Sequence, residues 1–352
     1  MEERGLAYGV SELERLRHHG RRVFPYQCVR LRHRNATCSL CADHCPTGAI
    51  AWGDAPQVNA DACADCGLCA TVCPTGVFET AGPSNTALLE HIQALATITS
   101  TLAFACPNVS RDDAPGVIRV SCLGRVDASI LIGAAAAGIR QIEMWDAECP
   151  GCPTRIGHAV AERAVASSNQ ILQACGSPAS VAFARGSGVP DHAAPGLEQA
   201  ACSGPKSLPE EAPQASQTLP KGELPVRLPE KLELLLASLR RLAGRAVSAE
   251  STTTLWGTVG VDGACTGCQM CAFFCPTGAL AKSVADGLPG LTFTPAHCTY
   301  CRLCLESCYM SSIVLSPRVD LGEVTSLTSR IVWSNIQSAS YQEKVKRLRA
   351  GK

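Results

Sequence analysis

Residues 265–280 read CTGCQMCAFFCPTGAL, and residues 63–78 read CADCGLCATVCPTGVF. Each stretch carries four cysteines in a C-x2-C-x2-C-x3-C-P run, a spacing in which three thiolates wrap one iron–sulfur cluster and the fourth reaches a second cluster. The run recurs at 298–308, where Tyr309 replaces the proline, and at 35–46, where Asn35 replaces the first cysteine. These four motifs, arranged as two pairs, predict two duplicated modules that bind iron–sulfur clusters.

The chain is unusually rich in cysteine, with 22 cysteines among 352 residues, and twenty of them fall into five sets of four. Pairs of the form C-x2-C are also typical of zinc sites, but zinc needs only two such pairs and leaves the other cysteines of each run unexplained. Secreted disulfide proteins are cysteine-rich too, yet they are usually short and carry a signal peptide, a pattern that the N-terminal residues lack. We therefore expect bound clusters in a reducing cytoplasm.

Composition argues against several other classes of function. The 31 basic and 31 acidic residues balance, and aromatic residues make up only 5%, so neither a basic field nor a stacking surface for nucleic acid is expected. The longest apolar run, 130–139, is too short to span a bilayer. Phosphate-binding glycine loops and nucleophile motifs are missing as well. We expect a soluble, non-catalytic cytoplasmic protein that reaches a membrane only through partners.

The chain divides by composition into six segments. They are a basic N-terminal extension (1–27), a cysteine module (28–82), a central domain (83–185), a linker with a short helix at 229–243 (186–250), a second cysteine module (251–317) and a helical tail (318–352). The linker is rich in proline, glycine, serine and alanine without periodicity.

The central domain alternates apolar and alanine-rich stretches. The apolar runs predict strands over 101–106, 117–122, 141–147 and 180–184, and the alanine-rich runs predict helices over 127–138 and 155–173. Strands that alternate with helices indicate an α/β domain with a parallel sheet, of the flavodoxin or Rossmann type.

The two cysteine modules resemble the bacterial two-cluster ferredoxin, a small βαββαβ domain that holds two [4Fe-4S] clusters. The resemblance implies an α+β ferredoxin-like fold for both modules. It also implies that three cysteines of one motif share a cluster with the last cysteine of the other. In the second module this gives site C, formed by Cys265, Cys268, Cys271 and Cys308, and site D, formed by Cys298, Cys301, Cys304 and Cys275.

The first module departs from this pattern at Asn35. We predict that Cys28, seven residues upstream, supplies the missing thiolate. Site A would then consist of Cys28, Cys38, Cys41 and Cys73, and site B of Cys63, Cys66, Cys69 and Cys45. Two alternatives stay open, namely a [3Fe-4S] cluster with one free corner, and ligation by Asn35 or His33.

Four further cysteines follow predicted strands of the central domain, where parallel sheets form their sites. This set, site M, consists of Cys106, Cys122, Cys149 and Cys152. The segment from Phe104 to Cys152, above all Cys122-x-Gly-Arg-Val-Asp127, resembles the delta subunit of the methyl-viologen-reducing hydrogenase, the partner of heterodisulfide reductase.

The match with this family is incomplete. Val109 stands where the family has the second cysteine of a C-x2-C pair, and the closing pair Cys149-x2-Cys152 is narrower than usual. The resemblance implies a [2Fe-2S] cluster in site M. Zinc, another cluster type, or four buried cysteines without metal are the alternatives. Cys175 and Cys202 are expected to bind nothing.

Together these observations predict an electron-transfer relay subunit of a multi-subunit oxidoreductase, with four [4Fe-4S] clusters and one [2Fe-2S] cluster. The second resemblance implies partner subunits of the flavoprotein, hydrogenase or formate-dehydrogenase type. Two other classes stay open, a free-standing polyferredoxin and an iron–sulfur redox sensor, although the sequence shows no helix-turn-helix to give a sensor its output. Catalysis at the incomplete motif around Asn35 is a further alternative.

Overall fold

A computed structural model describes nine stretches of the chain. They are residues 23–53, 55–79, 82–109, 116–147, 149–185, 224–243, 250–252, 255–285 and 288–334. The basic residues 1–22, most of the predicted linker (186–223) and the end of the tail (335–352) lie outside them.

The first cysteine module is built from very short elements. Its helices are α1 (Val29–Arg32), α2 (Leu40–Asp43) and α3 (Leu68–Val72), and its strands are β1 (Ile50–Trp52) and β2 (Pro56–Val58). The two strands form an antiparallel hairpin, and Val23 bridges Phe78 in an antiparallel sense. Because Val23 belongs to this pairing, the module begins five residues before the predicted boundary at 28.

The central domain is a four-stranded parallel sheet, as predicted. Its strands are β3 (Thr101–Ala105), β4 (Val117–Arg119), β5 (Gln141–Asp146) and β6 (Ser180–Arg185), and its helices are α4 (Asn85–Leu95), α5 (Ala128–Ala137) and α6 (Ile156–Ala174). The strand order is β4-β3-β5-β6 and every pair is parallel.

The described helices of this domain lie on one face of the sheet. Leu102 and Phe104 of β3 and Met144 of β5 form one apolar core with residues of α4, α5 and α6. The other face carries Ala105 and Trp145, and none of the helices described here covers it. Right-handed crossovers explain this, because β4–β5 and β5–β6 run in the same direction across the sheet and put both helices on one side. The flavodoxin-like assignment, which requires helices on both faces, remains a prediction.

The second cysteine module follows helix α7 (Glu230–Leu242), which matches the helix predicted at 229–243. Its strands are β7 (Glu250–Thr252), β8 (Thr258–Val261), β9 (Leu280–Ala285), β10 (Leu288–Phe293), β11 (Ile313–Ser316), β12 (Arg318–Asp320) and β13 (Arg330–Ser334). Its helices are α8 (Met270–Phe274), α9 (Leu303–Glu306) and α10 (Leu321–Thr325). β8 pairs with β11, and the β9–β10 hairpin lies between these two strands in the sequence. In the first module the β1–β2 hairpin lies in the same way between the bridged residues Val23 and Phe78.

The predicted helical tail is wrong for its described part. Only Leu321–Thr325 is helical, and Arg330–Ser334 is a strand that adds to β10. The side chains of Ile331, Val332 and Trp333 favour a strand, and Trp333 is buried. No helix among the described residues is both long and apolar enough to cross a membrane.

Candidate metal centres

The four cysteines predicted for site A meet around one small cavity. Cys28, Cys38, Cys41 and Cys73 line it. Burial is the main cause that raises the pKa of Cys28 to about 11, and the charges of Cys73 and Cys38 add to it. Asn35 is exposed and neither it nor His33 lines this cavity. The arrangement favours Cys28 as the fourth thiolate of site A.

The backbone explains how Cys28 is presented. The 3₁₀ turn Pro25–Gln27 precedes it, and the Cys28 N–H donates to the carbonyl of Pro25 at 2.9 Å. Cys298 in the second module follows a matching turn, Pro295–His297, with an N–H···O distance of 3.0 Å to Pro295. The backbone angles agree as well, with φ/ψ of −70°/119° at Cys28 and −76°/122° at Cys298.

Site B is equally compact. Cys45, Cys63, Cys66 and Cys69 line a second small cavity next to Leu68. Burial raises the pKa of Cys66 to about 11, and the charges of Cys122, Cys45 and Cys63 act in the same direction. Site B therefore lies close to a cysteine of site M.

Site M lies at the carboxyl edge of the parallel sheet, as predicted. Cys106 directly follows β3, and Cys122 and Cys149 each lie three residues past the end of a strand. Burial is the main cause that raises the pKa of Cys149 to about 11. The charges of Asp146 and of the other three cysteines of the site raise it further. The Cys152 thiol lies 3.2 Å from the Thr154 hydroxyl. Val109, three residues after Cys106, is buried in an apolar cluster with Trp145.

The C-x-G-R-V-D stretch positions Cys122 and its surroundings. Asp127 caps α5 by accepting hydrogen bonds from the N–H groups of Ser129 and Ile130. The buried Arg125 donates to the side chain of Asn85 at 3.0 Å and so fixes α4. A Cβ added at Gly124 would lie 2.6 Å from the carbonyl oxygen of Gly157, so only glycine permits this approach of the chain to α6.

In the second module the structure brings together the cysteines proposed for site C and those proposed for site D. Burial raises the pKa of Cys271 to about 12, with added charge effects from Cys265, Cys268 and Cys308, which are the other members of site C. Cys275, Cys298, Cys301 and Cys304 line one cavity, which is site D. Cys268 is exposed, whereas Cys275 and Cys298 are buried.

The donor sets fit iron–sulfur clusters. Every member of the five sets is a thiol, and no disulfide joins any of the described cysteines. Backbone N–H groups reach the sulfurs, from Val77 to Cys73 at 3.3 Å and from Ser312 to Cys308 at 3.3 Å. Such hydrogen bonds are one of the means by which proteins tune cluster potentials.

Two cysteines belong to none of the five sets. Cys175 ends α6 and packs beside an apolar cluster that includes α7, and burial alone raises its pKa. Cys202 lies outside the described residues.

Four contacts connect the five sites. Cys66 of site B and Cys122 of site M belong to one cluster with Leu68 and Val160. Sites B and A share a second apolar cluster, in which Cys45 and Cys69 pack against Cys28, Cys41 and Cys73. The other two contacts join sites A and D and sites D and C. Cys38 and Cys301 pack against a cluster of Val29, Ala36 and Leu303, and the charge of Cys271 acts on Cys304. The spatial order is therefore M, B, A, D, C.

Sequence reasoning missed two cations beside the sites, the buried Arg32 and the partly buried Lys231, because no local pattern marks them. Arg32 lies near Cys275 and Cys301 of site D, and Lys231 lies near Asp127 and near Cys73 of site A. Both come from elements outside the module whose site they neighbour.

Comparison with known proteins supports the cluster assignment at the N-terminal module. Residues 36–77 match the 4Fe-4S dicluster domain family. Comparisons with curated proteins and with solved structures give no match for the chain. The match and the many cysteines identify the class: an iron–sulfur electron-transfer protein. The chain carries a 4Fe-4S dicluster domain at residues 36–77 and therefore at least one [4Fe-4S] cluster.

Proposed function

We propose that the chain is the electron-relay subunit of a larger oxidoreductase, with [4Fe-4S] clusters in sites A to D and a [2Fe-2S] cluster in site M. An iron–sulfur cluster supplies one-electron transfer when it is bound. The chain's own part is to hold the sites in contact, to bury them and to set their electrostatic surroundings.

The observation that carries this proposal is the single row of sites. Among the described residues, successive sites are in contact in the order M, B, A, D, C, and the two ends of the row lie in different domains. A row of sites that joins two domains is the arrangement expected of a chain that conducts electrons between two partners. The partners proposed are a flavoprotein, hydrogenase or formate-dehydrogenase subunit, in keeping with the resemblance around Cys122.

Metal analysis of the anaerobically purified chain and of its complex tests the proposal. The expected result is about 18 iron atoms per chain, the content of four [4Fe-4S] clusters and one [2Fe-2S] cluster. Partner subunits identified by mass spectrometry should include a flavin- or metal-containing enzyme. Several zinc ions with little iron would overturn the electron-transfer function, and the full iron content without any partner would favour a free polyferredoxin.

The order of the sites has its own test. Neighbouring reduced clusters couple magnetically, so Cys122→Ser, which removes a ligand of site M, should alter the electron paramagnetic resonance (EPR) signal of site B. The signals of sites C and D should stay as in the wild type. Cys175→Ser is the matched control, because Cys175 belongs to no set. Altered signals at sites C or D with an unchanged signal at site B would contradict the proposed order.

A further inference from the structure

Where the two halves of the chain meet, each half places a cationic side chain against a cysteine motif of the other half. The N-terminal half spans 23–185 and the C-terminal half spans 224–334. Arg32 belongs to the N-terminal half and donates to the carbonyl of Phe274, the residue that precedes Cys275 of site D. Lys231 belongs to the C-terminal half and donates to the carbonyl of Cys73, a member of site A, at 2.6 Å.

The two contacts occupy equivalent positions of the internal repeat. The alignment of 63–78 with 265–280 places Cys73 opposite Cys275 and α3 opposite α8. Lys231 also donates to the carbonyls of Ala70 and Thr71, so it caps the C-terminal end of α3 as Arg32 caps that of α8. Cations at this end of a helix satisfy carbonyls that have no intrahelical partner.

A short strap, residues 224–231, holds both contacts in place. The backbone N–H of Arg227 donates to the carbonyl of Pro276 at 3.0 Å. A Cβ on Gly76 would lie 2.9 Å from Pro229, and one on Gly278 would lie 2.9 Å from Val226. The strap thus packs against the same turn in both modules, since the repeat aligns Gly76 with Gly278.

Arg32 is buried, and no carboxylate among the described residues is recorded beside it. The residue is 2% exposed, and its guanidinium donates to the carbonyls of Tyr26, Pro225 and Phe274. Among the described residues, the charges that act on it are those of Cys275 and Cys301. A buried cation needs a counter-charge, and the thiolates of site D are the group in place to provide it.

Site C in the same module has the opposite surroundings. Asp262 adds negative charge near Cys265, and Cys268 is exposed to solvent. A reduced cluster carries one more negative charge than an oxidised one, so a fixed cation beside a site raises its reduction potential and a carboxylate lowers it.

We propose that each half of the chain sets the reduction potential of the other half's junction site, through Arg32 at site D and Lys231 at site A. The inference rests on the proposed relay function. Sites A and D then have the reduction potentials needed for electron transfer between them only when the two halves are in contact.

The test is a redox titration of the full-length, cluster-loaded protein followed by EPR. Ligand variants Cys301→Ser and Cys38→Ser assign the signals of sites D and A. Arg32→Gln should lower the midpoint potential of site D and leave that of site C unchanged, and Lys231→Gln should lower that of site A. Arg32→Lys and Lys231→Arg keep the charge and should keep the wild-type potentials. Arg34→Gln, an exposed arginine two residues away, is the control and should change nothing.

An Arg32→Gln protein that holds its full iron content with an unchanged site D potential overturns the proposal. If Arg32→Gln loses the cluster of site D, the Arg32→Lys variant is the test. A lowered site D potential in Arg32→Lys, which keeps the positive charge, would also overturn the proposal. The wild type separates this inference from the proposed function. If the wild type shows no cluster signals, the proposed relay function is wrong. If it shows five signals whose potentials do not change in Arg32→Gln and Lys231→Gln, only the proposed role of the two cations is wrong.

Discussion

Cys66 and Cys122 lie in different domains, yet both belong to one apolar cluster in which Leu68 is fully buried. Leu68 is the first residue of α3, in the cysteine module, and its side chain inserts between the two sites. It fits because Gly124 and Gly157 carry no side chains at the point where the chain before α5 meets α6. The spacing of sites B and M therefore depends on packing by Leu68 and on two glycines.

The steric role of Gly157 gives a first prediction. A Cβ at this position would lie 2.3 Å from the sulfur of Cys122. Alanine normally stabilises a helix by up to about 1 kcal/mol relative to glycine, but here it must displace a predicted ligand. Gly157→Ala should lose the site M signal and about two iron atoms per chain. Gly151→Ala is the control, because a Cβ at Gly151 meets no atom within 4 Å although it lies between Cys149 and Cys152.

Truncation of Leu68 is the second prediction. Leu68→Ala leaves a cavity between two domains and should lower the free energy of unfolding by about 2–5 kcal/mol. Anaerobic denaturant unfolding of the loaded protein measures it. Ile98→Ala provides the comparison, because Ile98 is 71% exposed and its truncation should cost little. Equal losses in both variants would show that Leu68 does not support the contact between sites B and M.

The sequence predicts the cysteine sets and the elements of the central domain, but it does not predict the contacts between the two halves. Cysteine spacing predicts that the first three thiols of each motif meet around its short helix, whereas the fourth thiol of each set is implied by the resemblance to two-cluster ferredoxins. The strands and helices of 101–185 follow from apolar periodicity, which a two-layer α/β domain preserves. Arg32 and Lys231 are different, because their partners are carbonyls far away in the sequence and a carbonyl leaves no mark on sequence composition. The strand Arg330–Ser334 was hidden for a related reason, since it forms only against β10.

Cys28 carries the third prediction. Cys28→Ser should remove the signal of a [4Fe-4S] cluster in site A, either with loss of about four iron atoms or with conversion to a cluster of three. The neighbouring site B should stay intact. Cys175→Ser, which removes a half-buried thiol that belongs to no set, should keep the full iron content. An unchanged iron content and site A signal in Cys28→Ser would show that Cys28 is not a ligand. It would favour ligation by Asn35 or His33, or a [3Fe-4S] cluster with one free corner.

The buried thiols also predict how the protein without clusters responds to pH. Burial raises the pKa of Cys28, Cys66 and Cys298 from 9.0 to about 11. Below pH 9 these thiols are protonated in both the folded and the unfolded chain, so their contribution to stability is complete. Between pH 9 and 11 the unfolded chain loses these protons and the folded chain does not, so the free energy of unfolding must fall as pH rises.

Urea unfolding of the cluster-free protein at pH 8 and pH 10.5 measures this effect. The denaturation midpoint should be lower at pH 10.5, and the difference should shrink in Cys28→Ser because serine does not ionise in this range. The comparison between variant and wild type removes the contribution of lysines and tyrosines, which titrate in both. The loaded protein should lack the Cys28 contribution, since a ligated thiolate has already given up its proton. An identical pH response in the variant and the cluster-free wild type would show that the Cys28 thiol ionises equally well in the folded chain, against the burial seen around site A.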